Sequence, residues 1–253
     1  MHFNPRTAKN KLFKLFQLIT NNDILTVQET HGDSNALLRL AGRYNNTHTH
    51  YVNPHPNPTS GGTITFVKNN ILGPNSTSTN HNLVPGRIQA TTINNGNNSI
   101  TVYNIHNYDI TNDNINDIHN HLNTWQHKHK HNHANVALIM GDFNFSTAGE
   151  SAHAVNQILN NTQASSITNN NDTRAAAHDT KEAKRWAKIL GPLLEHLQHD
   201  PTRLGVRSTD DFTEVHISAS RIDRIYSNIP PWLALQLRPS TTVPTPVTKI
   251  VAQ

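Results

Sequence analysis

Four places in the sequence put a residue that can bind a cation or a phosphate at the end of, or within, an apolar segment. Glu29 follows ILTVQ, His106 ends VYNIH, and Asp142 and Asn144 follow VALIMG. Asp223 interrupts the apolar alternation of SRIDRIY. Carboxylate oxygens suit Mg²⁺ or Mn²⁺, and an amide can donate to a phosphate oxygen without adding negative charge. These residue types therefore indicate a site for a hard cation and a phosphate.

The segment VALIMGDFNFST, residues 136–147, poses the clearest question. Its first half is apolar, as in a buried strand, and Gly141 then ends the run. Side chains two residues apart lie on the same face of a strand, so Asp142 and Asn144 would converge on one ligand. The alternative is an ordinary turn, because Gly, Asp and Asn are the commonest turn residues. The segment by itself favours the turn, and the choice between a turn and a ligand site depends on the rest of the sequence.

Bulk composition limits the class of protein. The 253 residues are enough to bury a core in one large or two small domains, although 34% of them are hydrophobic and 15% charged. The net charge of +4 and the pI near 9.4 are compatible with an acidic partner such as nucleic acid. The absence of cysteine excludes disulfides and thiolate zinc sites.

The N-terminal segment and the hydropathy pattern bear on location. MHFNPRTAKNKLFKLFQLIT lacks the apolar core and the small-residue cleavage site of a signal peptide. No apolar run approaches the roughly 20 residues that cross a bilayer. We therefore predict an intracellular protein that is neither secreted nor bound to a membrane.

Periodicity predicts alternating helices and strands in the first half of the chain. Apolar residues at helical spacing predict a helix over about 8–20. Alternation and turn signals predict the elements that follow, which are a strand in 23–32, a polar proline-rich loop over 45–60, a strand in 61–69, a hairpin of GRIQATTI and SITVYNIHN around NNGNN, and a helix with Ile115, Ile118, Leu122 and Trp125 on one face.

The second half is less regular. HKHKHNH, at 127–133, is predicted as a solvated loop, with a transition-metal site as the alternative because its four histidines occupy every second position. The predicted elements after the strand at 136 are an irregular stretch to about 173, a helix with Trp186, Ile189, Leu190, Leu193 and Leu197 on one side, a strand pair formed by DFTEVHIS and RIDRIYSN, and a proline-interrupted tail.

This order of elements favours one domain over residues 1–253. Strands and helices interleave, many links read as hairpins, and no period of 20–50 residues repeats. A single mixed α/β (α+β) domain with two packed sheets and outer helices fits this pattern.

Six short segments occur in an order typical of one protein superfamily. They are LTVQETH, GGTITFV, VPGRIQATTI, ITVYNIHN, IMGDFN and SRIDRIYSN. From about residue 8 to residue 228 the chain resembles the endonuclease/exonuclease/phosphatase superfamily, and it is most similar to the endonuclease domains of non-LTR (LINE-type) retrotransposons. GDFN by itself is weakly specific, so the resemblance rests on the order of all six segments.

The resemblance implies a DNase I-like, four-layer α/β sandwich in which two mixed, mainly antiparallel sheets pack face to face between outer helices. Glu29 matches the metal-binding glutamate of the family. Asp142 and Asn144 match the aspartate that handles the attacking water and the asparagine that holds the phosphate. His106 falls where relatives place a Tyr or His against the scissile phosphate. Asp223 matches the RxD aspartate, which orients a neighbouring side chain or the catalytic histidine.

The implied reaction is hydrolysis of a DNA phosphodiester assisted by Mg²⁺ or Mn²⁺. The cation on Glu29 would stabilise charge on the phosphate and the leaving oxygen, and Asp142 would orient or deprotonate the attacking water. Arg87, within VPGRIQ, is a candidate phosphate contact.

Several candidates also have a purely structural interpretation. His106 can be a buried core histidine, and Asp223 can pair with Arg221 or Arg224 in a salt bridge. Arg87 can be an ordinary surface charge.

Two departures from the family pattern affect the predicted activity. The family begins with a strand that bears an asparagine at the metal site, whereas MHFNP is too short to predict a strand and offers only Asn4. The family ends with a Ser-Asp-His motif that supplies a metal contact and the catalytic imidazole, and this motif does not occur here. We therefore expect a domain clipped at both ends from a longer reading frame. We also expect impaired catalysis, because the parts of such a unit act together.

Other functions remain open at this point. The chain can be another phosphodiesterase or phosphatase of the superfamily, such as an AP endonuclease, or a catalytically inactive relic or nucleic-acid-binding fragment. The favoured interpretation implies DNA as partner, a monomeric domain, a reverse transcriptase downstream in the parent polyprotein, and a nuclear location if the element is eukaryotic.

Overall fold

The computed structural model of the chain describes residues 2–3, 19–72, 75–128, 135–145, 151–157, 166–168, 173–195, 203–208, 214–220 and 223–229. For residues 2–3, 128, 151–157, 166–168, 173–180, 195, 203–208, 214–220 and 223, only the backbone is described. Within these residues, no helix combines the length and hydrophobicity that a membrane span needs.

The described strands and helices alternate along the chain. The strands are β1 (His2–Phe3), β2 (Ile24–Gln28), β3 (His48–Asn53), β4 (Thr63–Lys68), β5 (Ser76–Val84), β6 (Ile88–Asn95), β7 (Asn98–His106), β8 (Val136–Asp142), β9 (Ser151–Gln157), β10 (Ser166–Thr168), β11 (Leu194–Glu195), β12 (Arg203–Ser208), β13 (Glu214–Ser220) and β14 (Asp223–Ser227). The longer helices are α1 (Ser34–Gly42), α2 (Asn112–Lys128) and α3 (Thr173–Leu190). Residues 19–21 are also helical.

The strands form two main sheets and one smaller sheet. The first main sheet has the order β1-β2-β4-β3, and the second has the order β11-β14-β8-β7-β6-β5. Strands β1 and β2 run parallel, as do β7 and β8, and the other pairs in these two sheets are antiparallel. The smaller sheet has the order β10-β9-β13-β12.

Each main sheet buries one apolar face under helices. Leu25 and Val27 of β2 pack with Leu37 of α1 in one hydrophobic cluster. Ile105 of β7 and Trp186 of α3 belong to a second cluster, to which α2 contributes Ile115, Ile118, Leu122 and Trp125. The apolar alternation of the strands therefore faces outward, toward the helices, and this gives the layers of an α/β sandwich.

The layer between the two sheets is polar. Asn104 of β7 donates from Nδ2 to the carbonyls of Val27 (3.3 Å) and Ile64 (3.1 Å), and Gln28 donates to its side-chain oxygen. Gln89 of β6 donates to Thr65 Oγ1 of β4 at 2.9 Å. These side chains are fully buried, and their hydrogen bonds across the layer offset part of the loss of water.

Most of the predicted regular elements are confirmed. The strands in 23–32 and 61–69 are β2 and β4, and the predicted hairpin is formed by β6 and β7 around Gly96. The two helices predicted from apolar faces are α2 and α3, but α3 ends at Leu190, so Leu193 lies beyond the helix that was predicted to contain it. The predicted fold class is also confirmed, with the smaller third sheet as an addition.

Four predictions about strands and loops are wrong, and one strand was not predicted. The loop predicted over 45–60 contains β3, and the irregular stretch to about 173 contains β9 and β10. Strand β5 was not predicted. It is an edge strand in which polar residues occupy both the exposed and the half-buried positions, so it shows no apolar alternation. DFTEVHIS and RIDRIYSN do not pair, since β13 joins the smaller sheet and β14 joins β8. The first strand, expected to be missing, is present as β1, which is too short to show alternation.

Other predictions fall outside the described residues. They concern most of the helix over 8–20, the His-rich segment beyond Lys128, Leu197, and the tail from residue 230 onward.

Candidate active site

Three of the predicted site residues occupy one row across the second sheet. His106 at the end of β7 is in register with Asp142 at the end of β8, and Asp142 is in register with Asp223 at the start of β14. Residues in register on neighbouring strands share a face of the sheet. The backbone therefore brings these three positions to one end of the sheet, although the side chain of Asp223 lies outside the described residues.

Gly141 and Phe143 explain why the apolar strand changes character at its end. Gly141 has a φ of +146°, and a Cβ there would collide with the carbonyl oxygen of Ile105 on β7. Phe143 is fully buried, and its ring meets those of Trp186 (5.3 Å) and Tyr226 (5.6 Å) edge to face. The buried ring anchors the segment and leaves its polar neighbours at the sheet end.

Asp142 and Asn144 are joined by a turn rather than by strand geometry. Strand β8 ends at Asp142, and Asn144 has a φ of +52°. Asp142 Oδ1 accepts from the Asn144 backbone N–H at 2.9 Å, and Asn144 Nδ2 donates to the Asn107 carbonyl at 3.0 Å. The prediction that both side chains share one strand face is therefore wrong, and the turn positions them together instead.

Glu29 brings the first sheet to the same place. It directly follows β2, which packs across β7 and β8. Its Oε1 lies 3.5 Å from Nε2 of His106, and its side chain is 13% exposed. Glu29 has a φ of +51°, a conformation that costs a non-glycine residue about 1 kcal/mol or more and that often marks functional sites. The structure thus brings together Glu29 and His106 from different sheets.

Arg87 lies beneath this pair, not on the surface. It is 4% exposed, and its guanidinium contacts His106 Nδ1 (3.1 Å), Ser60 Oγ (3.0 Å) and the ring of Tyr108 (5.0 Å to the centroid). Burial lowers the pKa of Arg87, and the charges of Asp109, Tyr108 and Glu29 act in the opposite direction. The alternative of an ordinary surface charge is therefore wrong.

Asn107 is a site neighbour that sequence reasoning missed. Its Nδ2 donates to the Phe143 carbonyl (2.6 Å) and to Glu182 Oε2 (3.2 Å), and its backbone N–H donates to the Asp142 carbonyl (2.8 Å). With the bond that its own carbonyl accepts from Asn144, Asn107 fixes the turn after β8. No sequence signal singles it out, because asparagine is abundant in this part of the chain.

The donor set fits an open site for a divalent cation. Among the described side chains, no three His, Asp or Glu groups lie close enough together to hold a metal ion. Mg²⁺ is usually held by one or two carboxylates, with water and substrate phosphates completing its shell. The partly exposed carboxylate of Glu29 suits that arrangement. That Glu29, Asp142 and Asp223 surround one ion stays a prediction.

The fold is similar to the folds of two solved domains. The catalytic domain of Xenopus laevis APE2 matches at 15% identity and a TM-score of 0.51, covering 90% of this chain and 81% of that one. The endonuclease domain of TRAS1, a telomere-specific non-LTR retrotransposon, matches at 9% identity and a TM-score of 0.51, covering 89% and 82%. No curated protein matches the sequence.

The layered fold and a family model define the class of protein. The model of the Endonuclease/Exonuclease/phosphatase family matches residues 2–240. The chain therefore belongs to the endonuclease/exonuclease/phosphatase family, whose members are typically hydrolytic nucleases and phosphodiesterases.

Proposed function

We propose that the chain hydrolyses phosphodiester bonds in DNA with a divalent cation, Mg²⁺ or Mn²⁺, as the endonuclease domain of a non-LTR retrotransposon-type polyprotein. The observation that carries the proposal is the contact between Glu29 and His106, which come from two different sheets. His106 is also in register with Asp142 of the adjacent strand. Isolated acids at strand ends are common, but the convergence of these groups from two sheets is the arrangement that phosphate chemistry uses.

Each side chain has a role that its contacts support. Glu29 would hold the cation, which supplies positive charge to the phosphate and the leaving oxygen. An ionised carboxylate can accept about four hydrogen bonds, so Asp142 can bind the Asn144 N–H and orient the attacking water together. Asn144 uses one of its two amide hydrogens on Asn107, and the second can donate to a phosphate oxygen.

DNA is the substrate that the charge and the fold favour. The net charge of +4 lowers the cost of approaching a polyanion. The similarity in fold to the TRAS1 endonuclease domain and the segments VPGRI and SRIDRIY favour the retroelement type over a phosphatase acting on a small molecule.

We further propose that turnover is reduced. The sequence contains no Ser-Asp-His, so it lacks the imidazole that the resemblance implies beside the phosphate. Removing one acid or base from a catalytic unit lowers the rate by about 10²- to 10⁴-fold.

Nicking of supercoiled plasmid, at high protein concentration and with Mg²⁺ or Mn²⁺, tests the proposal. We expect slow nicking that EDTA stops and that Glu29→Gln and Asp142→Asn each lower by at least about 100-fold. The matched control is Asp117→Asn, which neutralises an exposed aspartate on α2 and should leave the rate unchanged.

Two results would contradict the proposal. The absence of nicking with either cation would favour a relic, or a DNA-binding fragment if salt-dependent binding persists. Nicking that survives in Glu29→Gln would place the activity elsewhere. Fast nicking lost in both variants would support the function and overturn the reduced turnover.

A further inference from the structure

The guanidinium of Arg87 is bonded to other side chains, whereas an arginine that binds a phosphate would have donors directed toward solvent. One arm of its guanidinium bonds His106 Nδ1 and the other bonds Ser60 Oγ. The ring of Tyr108 covers the guanidinium at 5.0 Å and also stacks on His106, with ring centroids 6.1 Å apart and an interplanar angle of 18°. The guanidinium is thus held by Ser60 from one segment of the chain and by His106 and Tyr108 from another.

The backbone around Arg87 is shaped to admit it. Gly61 has a φ of +62°, and a Cβ at this position would collide with Arg87 Nη1. The Arg87 carbonyl also accepts the backbone N–H of His106 at 2.9 Å, which holds β6 and β7 in register at this point. A larger residue at 61 would displace the guanidinium from the imidazole.

The contact between Arg87 and His106 fixes a proton. An arginine side chain carries donors and no acceptor, so Nδ1 of His106 must accept the bond from Nη1. In the neutral ring the hydrogen then lies on Nε2, the atom that faces Glu29 Oε1 at 3.5 Å.

We infer that Arg87 is a positioning residue that holds His106 in its Nε2–H tautomer, so that the imidazole offers its one N–H donor to Glu29 or to a phosphate oxygen. His106 in this state cannot take a proton from water through Nε2, which leaves Asp142 as the group that orients the nucleophile. Arg87 acts through His106 and does not touch the DNA.

The tautomer can be read without turnover. In the full chain labelled with ¹⁵N, long-range ¹H–¹⁵N correlation should show His106 Nε2 protonated and Nδ1 unprotonated, the signals being assigned by their loss in His106→Gln. Arg87→Met should populate the Nδ1–H form. Arg39→Met, at an exposed position on α1, is the matched control and should change nothing.

DNA binding separates this role from a phosphate contact. Removing a side chain that binds one phosphate lowers the slope of log Kd against log salt by about one. Since Arg87 is inferred to make no phosphate contact, the slope should be the same for Arg87→Met and the wild type. The inference rests on the proposed function for its effect on turnover, where a lower kcat with little change in KM is expected. The tautomer and the slope are measured without cleavage, so they separate the two failures.

A second variant keeps the test valid if Arg87→Met does not fold. Gly61→Ala retains the arginine but fills the space beside Nη1, and it should produce the same change of tautomer. An Nδ1–H tautomer in the wild type, an unchanged tautomer in the folded variants, or a salt slope lowered by about one in Arg87→Met would each overturn the inference.

Discussion

The centre of the polar layer and the end that carries the candidate site are built from the same strands, but they differ in side-chain contacts and in backbone conformation. At the centre, Gln28 donates to the side-chain oxygen of Asn104, and Asn104 donates to the Val27 and Ile64 carbonyls of the facing sheet. At the end, Glu29 follows Gln28, and His106 lies two residues beyond Asn104 on the same strand. The central residues belong to regular strands, whereas Glu29 and Asn144 have positive φ.

This difference separates two uses of buried polar groups. A network of buried hydrogen bonds that joins two sheets specifies how the sheets pack. Backbone strain at a functional site positions side chains for a ligand, and it lowers the stability of the fold. Substitutions at the centre should therefore lower stability, and substitutions at the end should lower activity.

The largest expected effect is at the centre of the layer. Asn104→Leu removes a donor to two carbonyls and the acceptor for Gln28, and should lower the free energy of unfolding by about 3–5 kcal/mol in urea denaturation. The control Asn98→Leu changes an exposed position of the same strand and should cost little. A loss below about 1 kcal/mol for Asn104→Leu would mean that the network does not hold the sheets together.

A smaller loss is expected where the backbone admits Arg87. Gly61→Ala combines a positive φ with a close contact, and should cost about 2–3 kcal/mol. Gly96→Ala is a matched control, because its φ is +60° and nothing lies within 4 Å of the added Cβ. If thermal or urea unfolding shows equal losses for both variants, the contact with the guanidinium contributes nothing.

At Glu29, in contrast, a substitution should raise the free energy of unfolding. Glu29→Gly relieves the positive φ and should raise the free energy of unfolding by about 0.5–1 kcal/mol while nicking is lost. Urea denaturation and the plasmid assay on the same preparation measure both quantities. A clear loss of stability would show that Glu29 belongs with the structural network.

The smallest effect concerns two histidines of β3, of which His48 is buried and His50 is half-buried. Burial lowers the pKa of His48 and His50, both of which lie against Phe66. The unfolded chain then binds the proton more readily, so stability should fall as the pH drops below the ordinary value of 6.5. His48→Gln should flatten the dependence of unfolding free energy between about pH 7 and 5, and His127→Gln at an exposed position should not. An unchanged slope in His48→Gln would remove His48 from this effect.

The sequence was informative where one face of an element is apolar. Strands β2, β4, β6, β7 and β8 and helices α2 and α3 pack an apolar face in a hydrophobic cluster, so their periodicity is visible in the residues. Strand β5 is not visible in this way, because an edge strand rich in Ser, Thr and Asn carries no apolar face. The partners of β13 and β14 depend on long-range pairing, which no local pattern encodes.

The candidate site was predictable to a similar degree. Glu29, His106 and Asp142 end strands within motifs of the family, so order along the chain locates them. Asn107 and Ser60 act through contacts with the Phe143 carbonyl and the Arg87 guanidinium, which depend on how distant segments fold together. The positive φ of Asn144 likewise arises from the turn after β8.

The most direct test of the common site is where a divalent cation binds. Mn²⁺ titrated into the ¹⁵N-labelled chain should first broaden the backbone resonances of Glu29, His106 and Asp142, and Glu29→Gln should abolish this effect. The same resonances should sharpen again when excess Mg²⁺ displaces the Mn²⁺. Broadening that begins in the His-rich segment 127–133, or that persists in Glu29→Gln, would contradict a cation site at the strand ends.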